Sequence, residues 1–199
     1  MLMVTAPTKL EINQLPLRKY EGPVEIVATD DHLEAVLAAL IAEKVLGFDI
    51  EIKPSFKSSD RFAPALVQLA SRQTVFLIQL KRLNSLRSLS RLFSDPKVIK
   101  AGIAVADDVR KLREIMTFEP AGFVELGNLA TRSGITANGV RTLAAQLLGF
   151  RVSKGARCSN WERSQLTPAQ IDYAATDAWV CREIFLDLEK KEASAPSLE

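Results

Sequence analysis

Histidine and cysteine are scarce in this chain, with one histidine, His32, and two cysteines, Cys158 and Cys181, in 199 residues. Zinc sites built on Cys and His need clustered ligands, so structural zinc is excluded, and a Ser-His-Asp triad would rest on His32 alone. Two cysteines can close at most one disulfide, which suits a reducing compartment. Free thiols and a cytoplasmic setting are the expectation. His32 stands in "DDHLEAVLAAL", where capping or a surface position on a helix is its ordinary use. An excess of one charge is missing too: 26 basic and 24 acidic residues leave a net +2. Any contact with nucleic acid must therefore come from a local patch. The longest apolar run, Ala35 to Ala42, falls far short of the ~20 residues of a membrane span, and the opening residues lack a basic-then-apolar leader pattern, so no membrane association is expected. No G-x-x-x-x-G-K-[ST] or G-x-G-x-x-G loop is present, which leaves nucleoside triphosphate and dinucleotide readings unsupported.

What is present is ordinary globular composition, 47% hydrophobic and 25% charged, at a length that predicts one domain. That domain is expected over residues 21–188, after an N-terminal extension (1–20) and before a tail (189–199) that loses periodicity and gathers Ser, Pro and Ala. "PVEIVAT" reads as a strand. "DDHLEAVLAALIAE" repeats Leu33, Val36, Leu37, Leu40 and Ile41 at helical spacing behind an Asp cap. "VLGFDIEI", "PALVQLAS" and "TVFLIQL" follow as three strands of an antiparallel meander, although Arg72-Gln73 is weak turn chemistry. Alternation comes next, with "LNSLRSLSRLFSD" a helix, "VIKAGI" a strand, "DDVRKLREIM" a helix and "GFVEL" a short strand, then helices to the end. The fold class is α/β, a mixed sheet containing the meander, with flanking helices. The last long helix has a readable start: Thr167 as cap, Pro168 in the first position and Gln170 completing a capping box.

The candidate chemistry runs on carboxylates. Asp49 and Glu51 lie two apart in an apolar strand, so both project from one face. Burying them together requires a divalent cation or paired Arg or Lys, and the alternative is a solvated strand end. Tyr173 and Asp177 are four apart on one helical face, where an aromatic anchor and a surface charge are the ordinary uses. Asp107 and Asp108 open a helix, where one of them as N-cap is the plain explanation.

Read together and in order, "FDIEIKP", "KAGIAVADDVRKL" and "YAATD" resemble the three motifs of the DEDDy 3′–5′ exonuclease superfamily, the group of ribonuclease D and the Werner-syndrome-type exonuclease domain. The resemblance covers about residues 20 to 188, and "FVEL" and "RCSNW" agree with the Werner-type branch. It implies a ribonuclease H-like fold and release of nucleoside monophosphates from the 3′ ends of DNA or RNA. It also implies two divalent ions, Mg or Mn. By this likeness Asp49 bridges both ions, Glu51 and Asp177 complete the first, and Asp108, chosen over Asp107 by its distance from the Lys-Leu pair, holds the second through water. Tyr173 orients the attacking water. Two positions depart from the family pattern: Ile52 stands where many Werner-type members carry tryptophan, and Arg110 where an aromatic follows the second-motif Asp. Both touch substrate contact rather than metal chemistry.

For substrate, "RVSKGARCSNWER" places Arg151, Lys154, Arg157 and Arg163 near Trp161, cations with an aromatic as in backbone-tracking grooves. Lys154 and Arg157 are the phosphate-contact candidates, and Trp161 is either the aromatic of that groove or packed in the core. An aspartate-nucleophile phosphatase also places two acids two apart after a strand, but its second is normally Asp, and that reading gives Tyr173 and Asp177 no role. A non-catalytic nucleic-acid or protein binding module on the same fold would be marked by loss of a carboxylate, and none is lost.

Overall fold

The computed structural model describes residues 5–54, 62–137 and 139–194. Within them the order is α1 (Lys9–Gln14), β1 (Val24–Val27), α2 (Asp30–Ala42), β2 (Val45–Ile52), β3 (Pro64–Ala70), β4 (Val75–Gln79), α3 (Arg87–Phe93), β5 (Ile99–Gly102), α4 (Val105–Arg113), β6 (Phe123–Glu125), α5 (Leu126–Arg132), α6 (Val140–Leu143) and α7 (Pro168–Ser194). The strands form one sheet in the order β1-β4-β3-β2-β5-β6. The expected meander is its centre, with β2, β3 and β4 antiparallel, and β1, β5 and β6 add in parallel on either side. The weak turn chemistry of Arg72-Gln73 is remedied from outside the pair: the Ser71 hydroxyl accepts from Gln73 and Thr74 N–H groups (3.3 and 3.0 Å) and donates to the Thr74 carbonyl.

The period of two divides β2 between the sheet's faces. Phe48 and Ile50 join Leu33, Leu37 and Leu40 of α2, Leu89 and Phe93 of α3 and Leu112 of α4 in one core. Gly47, Asp49 and Glu51 alternate with them and face α7, whose Ala174, Ala175 and Ala178 pack with Leu66, Ala70 and Leu77 of the meander. Gly47 makes this approach possible, because a Cβ there would lie 1.9 Å from the Ala178 carbonyl oxygen. Small residues on α7 and a glycine beneath it thus bring the helix close to the strand that carries the acids.

Three helix starts test the capping expectations. Thr167 and Gln170 form the expected box, each main-chain N–H donating to the other's side-chain oxygen (3.0 and 3.3 Å). The Asp cap expected for α2 is corrected: Thr29 caps it, accepting from the His32 N–H at 3.2 Å, while Asp30 accepts from the Asn84 N–H at 2.9 Å. His32 is half-buried in the first turn, with Nε2 3.1 Å from Glu25. At α4 neither Asp107 nor Asp108 is the cap. The helix begins at Val105, and its N-cap, Ala104, carries a left-handed φ of 57° with no side-chain bond. Glu125 supplies what is missing, accepting from the Val105 N–H at 2.9 Å and from the Gly127 N–H at 3.3 Å.

The left-handed region costs a Cβ-bearing residue roughly 1–2 kcal/mol, less the greater backbone entropy that glycine loses on folding. Ala104→Gly is therefore expected to raise stability by about 0.5–1 kcal/mol, seen as a melting temperature roughly 1–4 °C higher. An unchanged or lower melting temperature counts against strain at this position.

Residues 15–20 are held against the rest of the chain. They run beside the loop after α6 and the start of α7: the Arg18 N–H donates to the Arg151 carbonyl and the Arg151 N–H to that of Pro16, both at 2.9 Å, and the Tyr20 N–H donates to Thr176. Lys19 pairs with Asp172 at 2.8 Å. At the other end α7 continues through Ser194, so residues 189–194 of the expected tail are helical, and 195–199 lie outside the described residues. Cys158 is exposed and Cys181 buried, and both are free thiols. No helix among the described residues is long and apolar enough to cross a membrane. Lys100 is wholly buried in β5, yet its ammonium donates to the carbonyls of Leu92, Asp95 and Val98 (3.2, 2.8 and 2.8 Å), closing the end of α3. Burial pulls its pKa down to about 8.

Candidate metal centre

Asp49 and Glu51 reach up from the sheet and Asp177 comes down from α7. Carboxylate oxygens of these three residues lie within 4.8 Å of one another. Burial, then Asp177, Glu51 and Asp108, push the Asp49 carboxyl well above its ordinary value. Glu51 is raised to about 8 by burial and Asp177, with Arg157 opposing. Asp177 rises to about 6 through burial, against the pull of Tyr173 and Arg157. A half-buried group of carboxylates at this spacing is electrostatically unfavourable alone, through desolvation and mutual repulsion. An oxygen-only donor set of this kind fits a hard divalent cation.

Asp108 stands in the first turn of α4, 8% exposed, whereas Asp107 faces solvent. Its carboxyl is raised to about 7, chiefly by burial with Lys111 opposing. It is outside the three-residue cluster, but its charge reaches both Asp49 and Glu51. The early start of α4 is what turns Asp108 inward, and Glu125, which holds that start in place, is a site-building residue that the sequence signalled only through "FVEL".

Tyr173 lies one turn before Asp177 on α7. Burial and then the Asp177 and Glu51 charges push its hydroxyl far up from the ordinary tyrosine value. Its ring packs against Trp161, centroids 6.0 Å apart. Trp161 corrects the expectation of a groove aromatic. It is 1% exposed, packs with Ala174 and Ala178, and its Nε1 donates to the Arg157 carbonyl at 3.4 Å. The indole is too deep to stack on a base and instead supports Tyr173 and the loop of Arg157. Lys154 and Arg157 are exposed on that loop, and only Arg157 is close enough to pull on Glu51 and Asp177. Arg151 is taken up by the N-terminal segment, its Nε donating to the Leu15 carbonyl at 3.0 Å. A cleft of about 900 Å³ opens between residues 16–22 and α7, with Tyr173 and Gly155 at one side and Arg18, Lys19, Tyr20 and Trp179 around it.

One further polar side chain lies beside the acids in the sheet. Gln68 of β3 is 0% exposed, and neither of its amide atoms has a hydrogen-bond partner among the described residues. An unpaired buried amide costs about 1–3 kcal/mol. It is the residue paired with Asp49 across the β2–β3 ladder.

A mixed α/β sheet with carboxylates gathered under its long last helix defines the class: a fold built round an acidic centre whose oxygen donors fit a divalent cation. Comparison with known proteins narrows it. A 3′–5′ exonuclease domain model matches residues 24–192, and the chain belongs to that family. It is 35% identical over 149 residues to the exonuclease 3′-5′ domain-containing protein 2 of Drosophila melanogaster, covering 73% of this chain and 25% of the relative. It is 28% identical over 225 residues to the human exonuclease mut-7 homolog, covering 94% of this chain and 25% of the relative. Among solved structures, the Nibbler EXO domain of Aedes aegypti superposes with a TM-score of 0.78 at 23% identity, covering 89% of this chain and 92% of that one. The likeness in fold extends over most of both chains, while the chain spans about a quarter of the length of these two curated relatives.

Proposed function

We propose that this chain hydrolyses phosphodiester bonds at the 3′ ends of nucleic acid, using two divalent ions, Mg or Mn, and releasing nucleoside monophosphates. The observation that carries the reading is the convergence of Asp49, Glu51 and Asp177 within 4.8 Å beside Tyr173. Asp49, Glu51 and Asp177 would hold the first ion. Asp49 and Asp108 would hold the second, Asp108 through water, which suits its place just outside the cluster. When bound, the ions acidify the attacking water and neutralise charge on the phosphate and the departing 3′ oxygen.

Tyr173 is assigned orientation rather than proton abstraction, because a phenol with an ordinary pKa of ~10, raised further by burial, is a poor base at neutral pH and donates a hydrogen bond instead. Arg157, already close to Glu51 and Asp177, is placed to meet the phosphate, with Lys154 beside it on the same exposed loop. DNA and RNA both fit this chemistry, since it reads phosphate and a free 3′ end.

The direct test is incubation with 5′-labelled single-stranded DNA and RNA in Mn²⁺ or Mg²⁺. Shortening from the 3′ end with mononucleotide products is expected, and degradation that persists in chelator or proceeds from the 5′ end overturns the reading. Tyr173→Phe should keep metal affinity and lower the single-turnover rate roughly ten- to a hundredfold, the loss of one hydrogen bond of ~1–3 kcal/mol. Its pH–rate profile should run parallel to that of the unmodified protein. Loss of the basic limb in the variant alone would instead make the phenol the base.

A further inference from the structure

Gln68 is the buried polar group to which the proposed chemistry gives no task. The other glutamines buried on this side are satisfied: Gln79 of β4 donates to the Arg163 carbonyl at 2.9 Å, and Gln170 of α7 to Ser159 and to the Asn160 carbonyl, both at 3.1 Å. Among the buried glutamines on this face of the sheet an unpaired amide is thus the exception, and buried polar atoms without partners are rare enough in folded proteins that each needs a reason. The register supplies one. Antiparallel pairing sets Gln68 directly across from Asp49, and opposed residues share a face with their Cβ atoms about 4.5–5.5 Å apart. An amide on a two-carbon stem reaches across that gap, to the carboxylate at the centre of the acidic cluster.

We propose that Gln68 is a positioning residue for the metal centre. With a divalent cation among the carboxylates, its Nε2–H donates to Asp49 and fixes the orientation in which Asp49 presents its oxygens. A carboxylate has lone-pair sites enough to serve a cation and accept from an amide at once, and neighbours of this kind orient metal ligands and tune their affinity. Gln68 meets neither substrate nor the reacting water, because both of its amide atoms are buried. The inference rests on the metal-centre reading above.

The two states make opposite demands on this amide, and Gln68→Met separates them. Methionine keeps the length and volume and removes the polar atoms. Calorimetric titration of the full chain with Mn²⁺ should show affinity weakened about 10- to 100-fold, while the melting temperature in chelator stays the same or rises. Undiminished Mn²⁺ affinity overturns the proposal, as does a weaker affinity accompanied by a lower melting temperature in chelator, which would mark a packing role. If Gln68→Met does not fold, Gln68→Asn, which withdraws the same amide by one methylene, should fold and still bind Mn²⁺ more weakly. Full affinity in that variant is equally decisive against it. An unmodified protein that takes up no Mn²⁺ removes the metal centre itself, whereas normal uptake by both forms removes only the role of Gln68.

Discussion

Asp49→Asn is expected to lower the single-turnover rate of nucleic-acid hydrolysis by at least about a thousandfold at saturating metal, a loss of ~4 kcal/mol in barrier lowering. Asparagine is nearly isosteric, so Gly47, α7 and the apolar neighbours stay in place and the change isolates one negative charge. That charge is the one most hemmed in by others: Asp177, Glu51 and Asp108 all act on it. In the functional state proposed here it is also the ligand that both ions share, so no neighbouring carboxylate can substitute for it. The same substitution should make the metal-free protein more stable, because it removes a carboxylate that burial and three acids oppose. A variant within tenfold of the unmodified rate would show that Asp49 is not the shared ligand.

Stability in the absence of metal should fall as pH rises from about 4 to about 8. The folded-state carboxyls of Glu51, Asp108 and Asp177 titrate at about 8, 7 and 6, above the ~4 of unfolded Asp and Glu. Between those limits the folded chain retains protons that the unfolded chain has released. The unfolded state then binds fewer protons, and the free energy of unfolding declines with pH. The sign is opposite to that of a salt-bridged acid. A divalent ion takes over the role of the protons, so Mn²⁺ should stabilise the chain more at pH 8 than at pH 5, by several degrees in melting temperature. Melting curves in chelator and in Mn²⁺ from pH 5 to 8 measure this directly. A flat curve in chelator would mean that the cluster is not held protonated.

Much of the site was legible because strands and helices repeat simply. The period of two put Asp49 and Glu51 on one face, and the four-residue step put Tyr173 one turn before Asp177, with Thr167 and Gln170 fixing the phase of α7. What escaped depends on contacts between distant segments. Asp107 and Asp108 looked like caps because nothing in "GIAVADD" marks Ala104 as left-handed, a conformation that glycine usually signals. The cap comes from Glu125, twenty residues away. Trp161 was ambiguous because aromatic residues in basic loops serve both grooves and cores. Only packing against α7 decides for the core. Gln68 interrupts an apolar strand visibly, but its meeting with Asp49 depends on a register that one strand's sequence does not carry.

The length of α7 governs how this protein can change over evolutionary time. One unbroken helix from Pro168 to Ser194 carries Tyr173 and Asp177 near its start and anchors Ile184, Phe185 and Leu188 in the core further along. An added or deleted residue between those two parts turns one against the other by about 100° and shifts them by ~1.5 Å, so either the acids or the anchor must leave its place. Substitutions along this stretch are filtered one side chain at a time, but insertions and deletions are filtered by the whole rod. Lineages descended from this chain should accordingly vary in the spelling of α7 while keeping the count of residues from Tyr173 to Leu188 fixed.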